Sequence, residues 1–522
     1  MPTASQRREL DLDFHSFCSV WTTAASNVTA AAINFFDEDG YSSYTHVANS
    51  SPDITYDKST GKIKFAAKGT YFVISTIISE STSGNITVSG KITLNGTTAV
   101  QADGLVITAA EDPRPVTVHT VLNVDDGDIV EAVFTPSAAN YRSAKGSYIT
   151  VVRCNGHFAN LNYTADADET TTASSYELFD TTNEGGTVVS NVNGIAYAAA
   201  TGRLTTTVTR TFLIFSTWVY ASDGTRSDGF HKININGSTL DELTSGATAG
   251  DTPECHSYHT VKAVTGGEYI AINHDQGGTT GFTAKKGTSL SVVDISNDGT
   301  NPPALLCFSV TNDTNAFADD SGDQNIFDSD NYGTFAKIDH VTATNITYTA
   351  SAGTFAAVES GYHLVTSTIG FDSTSDGTPT FKLKKAGTDI YTSTLDLRAD
   401  ADPRSFPLCL IVYLDAGEEL TFIINNAGAD VDDGSSVSII RLDSIANLHP
   451  QVAPTENLIV EDYTINSYSS DNLSVQHDRT SQTQVPFILG SRTTSRLRGR
   501  RPVGNTTTEG VGVDVGDKKI IT

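Results

Sequence analysis

The sequence predicts an all-β protein, and three observations lead to that prediction. Apolar and polar residues alternate in short runs, as in Ile92 and Leu94 against Thr93 and Asn95. These runs are rich in Thr, Val, Ile, Tyr and Phe, and turn-forming Gly, Asn, Asp and Ser separate them. No long stretch carries apolar residues at helical spacing. A period of two with one polar face is typical of antiparallel sheet, so we expect strands throughout.

An internal repeat organises the chain, because four sequence elements recur three times in the same order. The first element contains a Thr-Gly or Ala-Gly turn and ends in Ser-Thr, and the second is a lysine-led strand. The third runs from an Asp- and Pro-containing turn to a Gly followed by an acidic residue, and the fourth contains a Gly-Ser or Gly-Thr turn. The three copies of the first element lie at 60–76, 201–217 and 352–368, and those of the second at 91–97, 232–238 and 382–388. The copies of the third lie at 112–130, 251–270 and 402–420, and those of the fourth at 145–152, 286–293 and 433–440.

The spacing of the repeat sets the domain organisation. Successive copies of the first element are 141 and 151 residues apart, which is a domain length and too long for a solenoid or propeller repeat. We predict an N-terminal arm at 1–10, three domains at 11–155, 156–300 and 301–447, and an extended tail at 448–522. The first junction leaves only a few residues between the last strand of one domain and the first strand of the next.

Each copy also carries turn residues at matching places. They include a Gly before the aromatic strand, an Asn-Gly pair after the second element, a Gly followed by an acidic residue, and a Gly that opens the last strand. These predicted signature positions are Gly69, Asn95, Gly96, Gly127, Asp128, Gly146, Asn236, Gly237, Gly267, Gly361, Gly387, Gly417 and Gly434.

The order of these strands and turns resembles the jelly rolls of the complement globular heads and the tumour necrosis factor (TNF) superfamily. The resemblance covers all three copies and departs from the family pattern in turns, at Arg210 and at Ala386-Gly387. It implies three tandem two-sheet sandwiches of about ten strands each, trimeric association through one sheet edge, and function by surface binding. Since the first and last strands are neighbours in this family, short junctions favour a side-by-side, single-chain pseudo-trimer. A homotrimer of chains is the alternative.

Composition and charge limit the partners. The formal net charge is −28, so the body of the protein should repel nucleic acid phosphates. No run is long enough to span a bilayer, and no signal peptide is visible at the N-terminus. The five cysteines are scattered without a CxxC pair, so we expect neither a disulfide scaffold nor a zinc site. Cys18, Cys154 and Cys307 are expected as buried free thiols.

The sequence offers weak candidates for metal or catalytic chemistry. Acidic turns at 37–40, 125–128 and 319–323 could hold calcium, but none has the ligand spacing of a calcium loop, and Asp and Gly are ordinary turn residues. His256 and His259 point to opposite faces of a strand. No nucleophile, zinc-protease or phosphate-loop motif occurs in a supporting context, although a sequence-distant carboxylate pair is possible. We therefore expect no catalytic residue, no metal and no cofactor.

The tail differs from the three copies. Residues 451–522 contain eight basic and eight acidic residues, so the whole net charge lies before them. Five arginines form a cluster within the tail and are the candidate anchor: Arg492, Arg496, Arg498, Arg500 and Arg501. We expect this segment to order on a neighbour by pairing with carboxylates. The N-terminal arm, with Arg7 and Arg8, is the rival anchor.

Three classes of function are compatible with these features. A non-enzymatic virion structural protein is favoured: a capsid decoration, spike or fibre component at the particle surface, acting in capsid stabilisation or host attachment. Its partners would be other virion proteins of the capsid or of the portal or tail shell, and a host-surface glycan or protein. A cellular adhesin or lectin-like protein is the alternative, and it would need an export signal. A polysaccharide-acting enzyme is the third reading.

Overall fold

A computed structural model describes residues 16–442 with short gaps, together with four segments of the tail. The gaps are 29–32, 38–45, 108–112, 155–156, 167–174, 183–186, 223–226, 248–252, 277–281, 296–304, 311–321, 329–336, 340–345, 374–378, 395–403, 426–428 and 432–434. The tail segments are 459–468, 473–484, 498–499 and 513–514. In these described residues the regular structure is antiparallel strand, apart from one short 3-10 turn at Ala350–Ala352. The predicted all-β fold class is confirmed.

The strands form three pairs of sheets, which we call rolls 1, 2 and 3. The described strands of roll 1 are β1 (Phe17–Thr22), β2 (Ser26–Val28), β3 (Ile33–Asn34), β4 (His46–Ser50), β5 (Ile54–Asp57), β6 (Lys62–Phe65), β7 (Gly69–Ser81), β8 (Ile86–Leu94), β9 (Thr97–Ile107), β10 (Arg114–Val124), β11 (Ile129–Pro136), β12 (Tyr141–Ser143) and β13 (Tyr148–Arg153). One sheet has the order β2-β12-β7-β13-β1-β4 with β10 also paired to β7, and the other has the order β5-β6-β11-β8-β9 with β3 paired to β11.

Roll 2 repeats this pairing. Its described strands are β14 (Phe158–Tyr163), β15 (Ser175–Glu177), β16 (Val188–Asn193), β17 (Ile195–Ala198), β18 (Arg203–Thr206), β19 (Arg210–Ser222), β20 (Ser227–Ile235), β21 (Ser238–Ala247), β22 (Glu254–Val264), β23 (Tyr269–Gln276), β24 (Phe282–Ala284) and β25 (Ser289–Asp294). The sheets have the orders β16-β14-β25-β19-β22 with β24 on β19, and β17-β18-β23-β20-β21 with β15 on β23.

Roll 3 shows the same order a third time. Its described strands are β26 (Leu305–Val310), β27 (Asp323–Asn325), β28 (Lys337–Asp339), β29 (Ile346–Thr349), β30 (Thr354–Ala357), β31 (Gly361–Ser373), β32 (Thr380–Lys385), β33 (Thr388–Thr394), β34 (Arg404–Leu414), β35 (Glu419–Asn425), β36 (Ala429–Val431) and β37 (Ser436–Arg441). The sheets are β28-β26-β37-β31-β34 with β36 on β31, and β29-β30-β35-β32-β33 with β27 on β35.

The three rolls agree in register as well as in strand order. The first strand of each roll pairs with its last strand, through Phe17 with Val152 in roll 1, Phe158 with Val293 in roll 2 and Leu305 with Ile440 in roll 3. Both ends of each roll therefore lie together. A β-bulge also recurs at one place in each roll, after Ile92, Ile233 and Leu383. A bulge bends its strand and fixes the register of the hairpin.

Apolar side chains from alternate strand positions fill the space between the sheets. Rolls 1 and 2 each have a buried cluster of their own, around Phe134 in roll 1 and Trp218 in roll 2. A third cluster fills roll 3 around Phe422 and extends into residues of the other two rolls, such as Phe72 and Phe215. The apolar core therefore continues across the boundaries between rolls.

The tail forms a separate unit. The chain divides into two compact units, residues 1–446 and 447–522. The described strands of the second unit are β38 (Ile459–Tyr468), β39 (Leu473–Gln484), β40 (Arg498–Gly499) and β41 (Val513–Asp514), which pair as two antiparallel hairpins. The predicted domain limits at 155, 300 and 447 stay a prediction.

Candidate functional site

The candidate site is the set of interfaces where the three rolls meet. The strands β10, β22 and β34 each lie at the edge of a sheet, and side chains around them are buried against the neighbouring rolls. Phe72 of roll 1 and Phe215 of roll 2 contact each other with ring centroids 6.1 Å apart. Leu364 of roll 3 belongs to the same buried cluster. Removing these apolar surfaces from water stabilises the association of the rolls.

The interface between rolls 1 and 2 contains a buried histidine with both ring nitrogens bonded. His119 Nδ1 lies 2.7 Å from Ser291 Oγ, and its Nε2 lies 2.9 Å from Ser289 Oγ. Ser291 donates its own hydroxyl hydrogen to Asn160 Oδ1 at 2.8 Å, so its oxygen accepts from His119. This network assigns the proton to Nδ1 and lets Nε2 accept from Ser289. Burial lowers the pKa of His119 to about 3, so the ring is neutral.

The interface between rolls 2 and 3 is built around a second histidine. His259 Nδ1 lies 2.9 Å from Thr368 Oγ1, and Ser436 donates its hydroxyl to the backbone oxygen of His259 at 3.2 Å. The His259 ring stacks on Phe215, with centroids 6.1 Å apart. Burial lowers the pKa of His259 to about 3. This interface thus also depends on an uncharged imidazole.

The interface between rolls 3 and 1 uses a cysteine in place of the histidine. Thr150 donates its hydroxyl to the backbone oxygen of Cys409, and Tyr148 donates to the backbone oxygen of Pro407 at 3.2 Å. The backbone N–H of Ile411 donates to Ser19 Oγ at 3.2 Å. Since the Cys409 thiol is fully buried, it fills space in this interface as a small apolar group.

These three contacts close a ring. His119, His259 and Cys409 are each the sixth residue of their strands β10, β22 and β34. Each strand faces the last strand of another roll: β10 faces β25, β22 faces β37, and β34 faces β13. The contacts run from roll 1 to roll 2, from roll 2 to roll 3, and from roll 3 back to roll 1. One chain therefore forms the side-by-side pseudo-threefold arrangement that the short junctions predict.

A closed ring gives a clear expectation for the mass in solution. Because β10, β22 and β34 each already face a partner roll within the chain, the isolated protein should sediment at its chain mass of 55.4 kDa. Analytical ultracentrifugation at micromolar concentration measures this directly. A species of three times that mass would contradict the single-chain ring and support the homotrimer.

Outer contacts reinforce two of the interfaces. The turn before β13 meets roll 3, where Tyr391 donates its hydroxyl to the backbone oxygen of Gly146. The turn before β25 meets roll 1, where Lys286 Nζ lies 2.6 Å from Asp103 Oδ2. A Cβ added at Gly287 in that turn would lie 2.5 Å from the Cα of Ala102. Glycine is therefore required there by a close approach of the two rolls.

All three rolls contribute to one small cavity. Arg114 of roll 1, Glu254 and His256 of roll 2 and Ser405 of roll 3 line a cavity of about 30 Å³. Arg114 Nη1 lies 3.5 Å from Glu254 Oε1, and His256 Nε2 lies 3.5 Å from Glu254 Oε2. This volume is roughly that of one water molecule, whereas sites for organic ligands occupy about 300–1,000 Å³. The cavity suits a bound water that serves these polar groups.

The predicted signature turns form a recurring hydrogen-bonded clasp. In roll 1, Asn95 has a left-handed backbone with φ 50°, donates to Asp128 Oδ1 at 2.7 Å and accepts from the N–H of Ile129 at 2.9 Å. Asn236 repeats both bonds in roll 2, with Glu268 at 3.1 Å and the N–H of Tyr269 at 3.0 Å. The bond from Asn95 lowers the pKa of Asp128. The clasp joins two adjacent turns of the sheet.

Roll 3 lacks the asparagine of this clasp. Ala386 occupies the position with φ 46°, and Lys385 pairs with Glu418 at 2.9 Å instead. The left-handed conformation costs an alanine about 1 kcal/mol or more, whereas asparagine adopts it readily. We expect Ala386→Asn to raise the free energy of unfolding by about 1 kcal/mol, measured by urea denaturation. The matched changes Asn95→Ala and Asn236→Ala should lower it, and a loss of stability in Ala386→Asn would contradict the role of the clasp.

The remaining signature positions lie in turns or at strand starts. Gly69 and Gly361 begin β7 and β31, and the turn glycines with positive φ are Gly96, Gly127, Gly146, Gly237, Gly267, Gly387 and Gly417. Gly434 lies outside the described residues. Of the anchor cluster, Arg498 lies in β40, while Arg492, Arg496, Arg500, Arg501 and the N-terminal Arg7 and Arg8 lie outside the described residues.

The candidate metal ligands have other partners in the structure. Asp323 accepts from Lys382 at 2.6 Å and from Lys384 at 2.9 Å, and these lysines hold the pKa of its carboxyl well below its usual value. His256 lines the small cavity. Among the residues that the structure describes, no group of three or more His, Cys, Asp or Glu is placed to hold a metal. Residues 38–40 and 319–320 fall outside that part of the chain.

The interface residues were not identified from the sequence as a set. The sequence assigns no role to His119 or Cys409, and it offers His259 only as half of a weak metal-binding pair with His256. Comparing the three copies position by position would have found them, because all three residues occupy one place in the repeat. The two predicted thiols that the structure describes, Cys18 and Cys154, are buried and free as expected.

Comparison with known proteins identifies no family for this chain. No family model matches the sequence, and no curated protein matches it. Among solved structures, Eiger TNF from S. frugiperda is 16% identical with a TM-score of 0.19, over 26% of this chain and 92% of that chain. PNGF-II is 10% identical with a TM-score of 0.24, over 72% of this chain and 98% of that chain. A triple jelly roll protein of an archaeal virus turret is 10% identical with a TM-score of 0.17, over 81% of this chain and 89% of that chain.

Those scores concern similarity of strand arrangement and indicate no function. The strand pairing and the contacts between rolls define the class of this protein. It is an all-β chain of paired antiparallel sheets, and its three rolls close into a ring. The described residues contain no helix long and apolar enough to cross a membrane.

Proposed function

We propose that this protein is a non-enzymatic structural component of a virion, a capsid decoration, spike or fibre protein that displays the three-roll ring at the particle surface. The ring would stabilise the capsid or attach the particle to its host. The observation that supports this most strongly is the closed ring itself, in which the interior edges of the rolls are used for mutual contact. What remains outside is surface for binding other proteins.

The position of the chain ends suits display on a particle. The first and last strands of each roll are paired neighbours, so the ends of each roll lie together. The ends of the ring-forming segment can therefore face the particle while the opposite end of each roll stays free. The net charge of −28, all of it before residue 451, favours protein partners or neutral glycans over nucleic acid.

The tail is the proposed attachment to the particle. It forms a compact unit separate from the ring, and its arginine cluster at 492–501 contrasts with the acidic ring. Arginine pairs well with carboxylates in protein interfaces because its planar fork can form two parallel hydrogen bonds. We assign the tail the role of a strap between this protein and its neighbours in the shell.

Deletion of residues 451–522 tests the strap. The truncated protein should keep the thermal transition of the ring but be absent from purified particles, as judged by gel electrophoresis and immunoblotting. Deletion of residues 1–10 is the matched control and should leave incorporation unchanged. Incorporation of the tail-deleted protein at the normal level would refute the strap, and failure of the full-length protein to copurify with particles would refute the virion role.

A further inference from the structure

Roll 3 carries an exposed aromatic patch at one end, formed by Val358, Tyr362 and Tyr413. Val358 is 46% exposed and Tyr413 is 41% exposed, and both are among the most exposed large apolar residues that the structure describes. Tyr362 packs edge-on against Tyr413, with ring centroids 5.1 Å apart, and against Phe17 of roll 1 at 4.7 Å. The tyrosine pair is thus held in place on one side and open to solvent on the other.

The patch is specific to roll 3. The positions of Tyr362 and Tyr413 are occupied by Thr70 and Asn123 in roll 1, which are joined by a hydrogen bond of 2.8 Å. In roll 2 they are occupied by Thr211 and Ala263. The fold therefore does not need aromatic residues here. Exposed tyrosine is favoured in binding sites because it offers a large contact area at a small cost in side-chain entropy.

Acidic residues surround the patch. The turn after β34 lies against the start of β31, since the N–H of Gly417 donates to Ala357 O at 2.7 Å and that of Ala416 donates to Ser360 Oγ at 2.9 Å. This contact brings carboxylates to the rim of the patch: Glu359, Asp415 and Glu418. The cations at the rim are Lys385, which pairs with Glu418, and Arg441, which pairs with Glu359. Three carboxylates against two cations leave the rim at −1, and Asp415 is the carboxylate outside these two ion pairs.

Aromatic rings with carboxylates at the rim match the chemistry of arginine. A guanidinium stacks on a tyrosine face through a cation–π interaction and forms paired hydrogen bonds with a carboxylate. Lysine also lies over aromatic rings, though less often than arginine, and it cannot form the paired hydrogen bonds. The occupant that this surface fits is consequently a segment with closely spaced arginines.

The tail contains such a segment, and we propose that residues 492–501 of a second copy of this chain bind the aromatic patch of roll 3. In an extended chain Arg496, Arg498 and Arg500 project to one side, about 7 Å apart. The backbone at Arg498–Gly499 is a strand, as this geometry needs. The inference rests on the strap role proposed above and names the surface on which the strap ends.

The reach of the tail is sufficient for contact between copies. The β38–β39 hairpin brings Ile459 beside Gln484, so only 442–459 and 484–492 can extend, about 25 residues that span at most roughly 85 Å. That exceeds the diameter of about 55–60 Å expected for a ring of about 430 residues. The N–H of Leu442 donates to Tyr362 O at 2.8 Å, so the chain leaves roll 3 beside the patch. Straps between copies would start and end on the same face.

Photo-crosslinking in the full-length protein tests the proposal. An unlabelled chain carrying Tyr413→p-benzoylphenylalanine is mixed with wild-type chain labelled with nitrogen-15, at a concentration well above the micromolar range in which single chains should sediment alone. The mixture is irradiated, digested and analysed by mass spectrometry. We expect cross-links to heavy peptides that contain residues 492–501. The control is Asn123→p-benzoylphenylalanine, at the exposed counterpart position of roll 1, which should give about tenfold fewer such cross-links.

A second variant tests whether the cross-links depend on the arginine charges or only on the tail lying nearby. Arg496→Gln, Arg498→Gln and Arg500→Gln together in the heavy chain should reduce the cross-links by about tenfold. The substitutions at Tyr413 and Asn123 should leave the melting temperature unchanged, since both side chains are exposed. Cross-links to unlabelled peptides only, to heavy peptides elsewhere, or in equal yield from position 123 would overturn the proposal. The assay uses no particles, so its outcome is independent of the incorporation test for the virion role.

Discussion

Acidification from about pH 7.5 to about pH 4.5 should lower the free energy of unfolding by at least about 8 kcal/mol. This amount comes from His119, His231 and His259, whose pKa values burial lowers to about 3. Burial also lowers the pKa values of His274 and His363, which act in the same direction. An unfolded histidine has a pKa of about 6.5. Each of the first three therefore contributes about 3 kcal/mol of pH-dependent stability at two pH units below that value. Two of them lie in interfaces between rolls, so the ring should open on acidification.

The sign follows from the protons bound in each state. Between about pH 6.5 and about pH 3 the unfolded chain binds protons at these histidines and the folded chain does not. Stability is fully present above pH 6.5 and falls as the pH decreases, by up to about 1.4 kcal/mol per pH unit for each histidine. Carboxyls with lowered pKa values, such as Asp103 and Asp128, act in the same direction but below about pH 4.

Denaturation curves at several pH values measure this slope. His119→Cys is the informative variant, because it places in the first interface the residue that the third interface has at Cys409. It should reduce the pH dependence by the contribution of one histidine, even if it lowers stability at pH 7.5. His259→Gln should do the same in the second interface. Constant stability from pH 7.5 to pH 5 would show that these rings are not buried as described.

Gly287→Ala should destabilise the interface between rolls 1 and 2 by about 2–5 kcal/mol. The backbone at Gly287 has φ 102°, a conformation that costs an alanine about 1–2 kcal/mol. The new Cβ would also lie 2.5 Å from both Cα and Cβ of Ala102, and overpacking of this kind costs about 1–3 kcal/mol. Urea denaturation measures the total, and amide hydrogen exchange in Thr97–Ile107 reports opening of this interface.

Gly127→Ala is the matched control. Gly127 has a similar positive φ of 90°, but a Cβ there would have no atom within 4 Å. The control variant should therefore lose only the conformational contribution of about 1–2 kcal/mol and leave exchange in Thr97–Ile107 unchanged. Equal losses in the two variants would mean that the close approach of the rolls at Gly287 does not contribute to stability.

The fold was accessible from sequence because its information is local and repeated. Alternation such as Ile92-Thr93-Leu94 sets strand faces, and the Asn95-Gly96 turn needs left-handed backbone that few residues adopt. The three copies then supply the same signal independently. Strand pairing between distant segments, such as Phe17 with Val152, carries no local signal and came from the family resemblance.

The interfaces were less accessible for a physical reason. A buried histidine such as His119 has the same sequence context as one on a wet strand face, and only its neighbours Ser289 and Ser291 show that it is buried and neutral. Those serines come from another roll, about 170 positions away in sequence. Roll 3 has Cys409 at the place where rolls 1 and 2 have His119 and His259. This difference makes it harder to recognise the three positions as equivalent. A contact between two rolls depends on a pair of residues that are far apart in the sequence, so neither residue alone shows that it lies in an interface.

Fusion of three unequal rolls into one chain also sets the valency of the protein. A trimer of identical chains presents every surface three times, so a branched ligand can engage several equivalent sites and gain avidity. The fused ring presents the Tyr413 surface once, because its counterparts at Asn123 and Ala263 have different chemistry. Each ring is therefore monovalent at that surface. Under the proposed virion role, avidity toward a host or a shell would come from the number of rings on a particle and the distances between them.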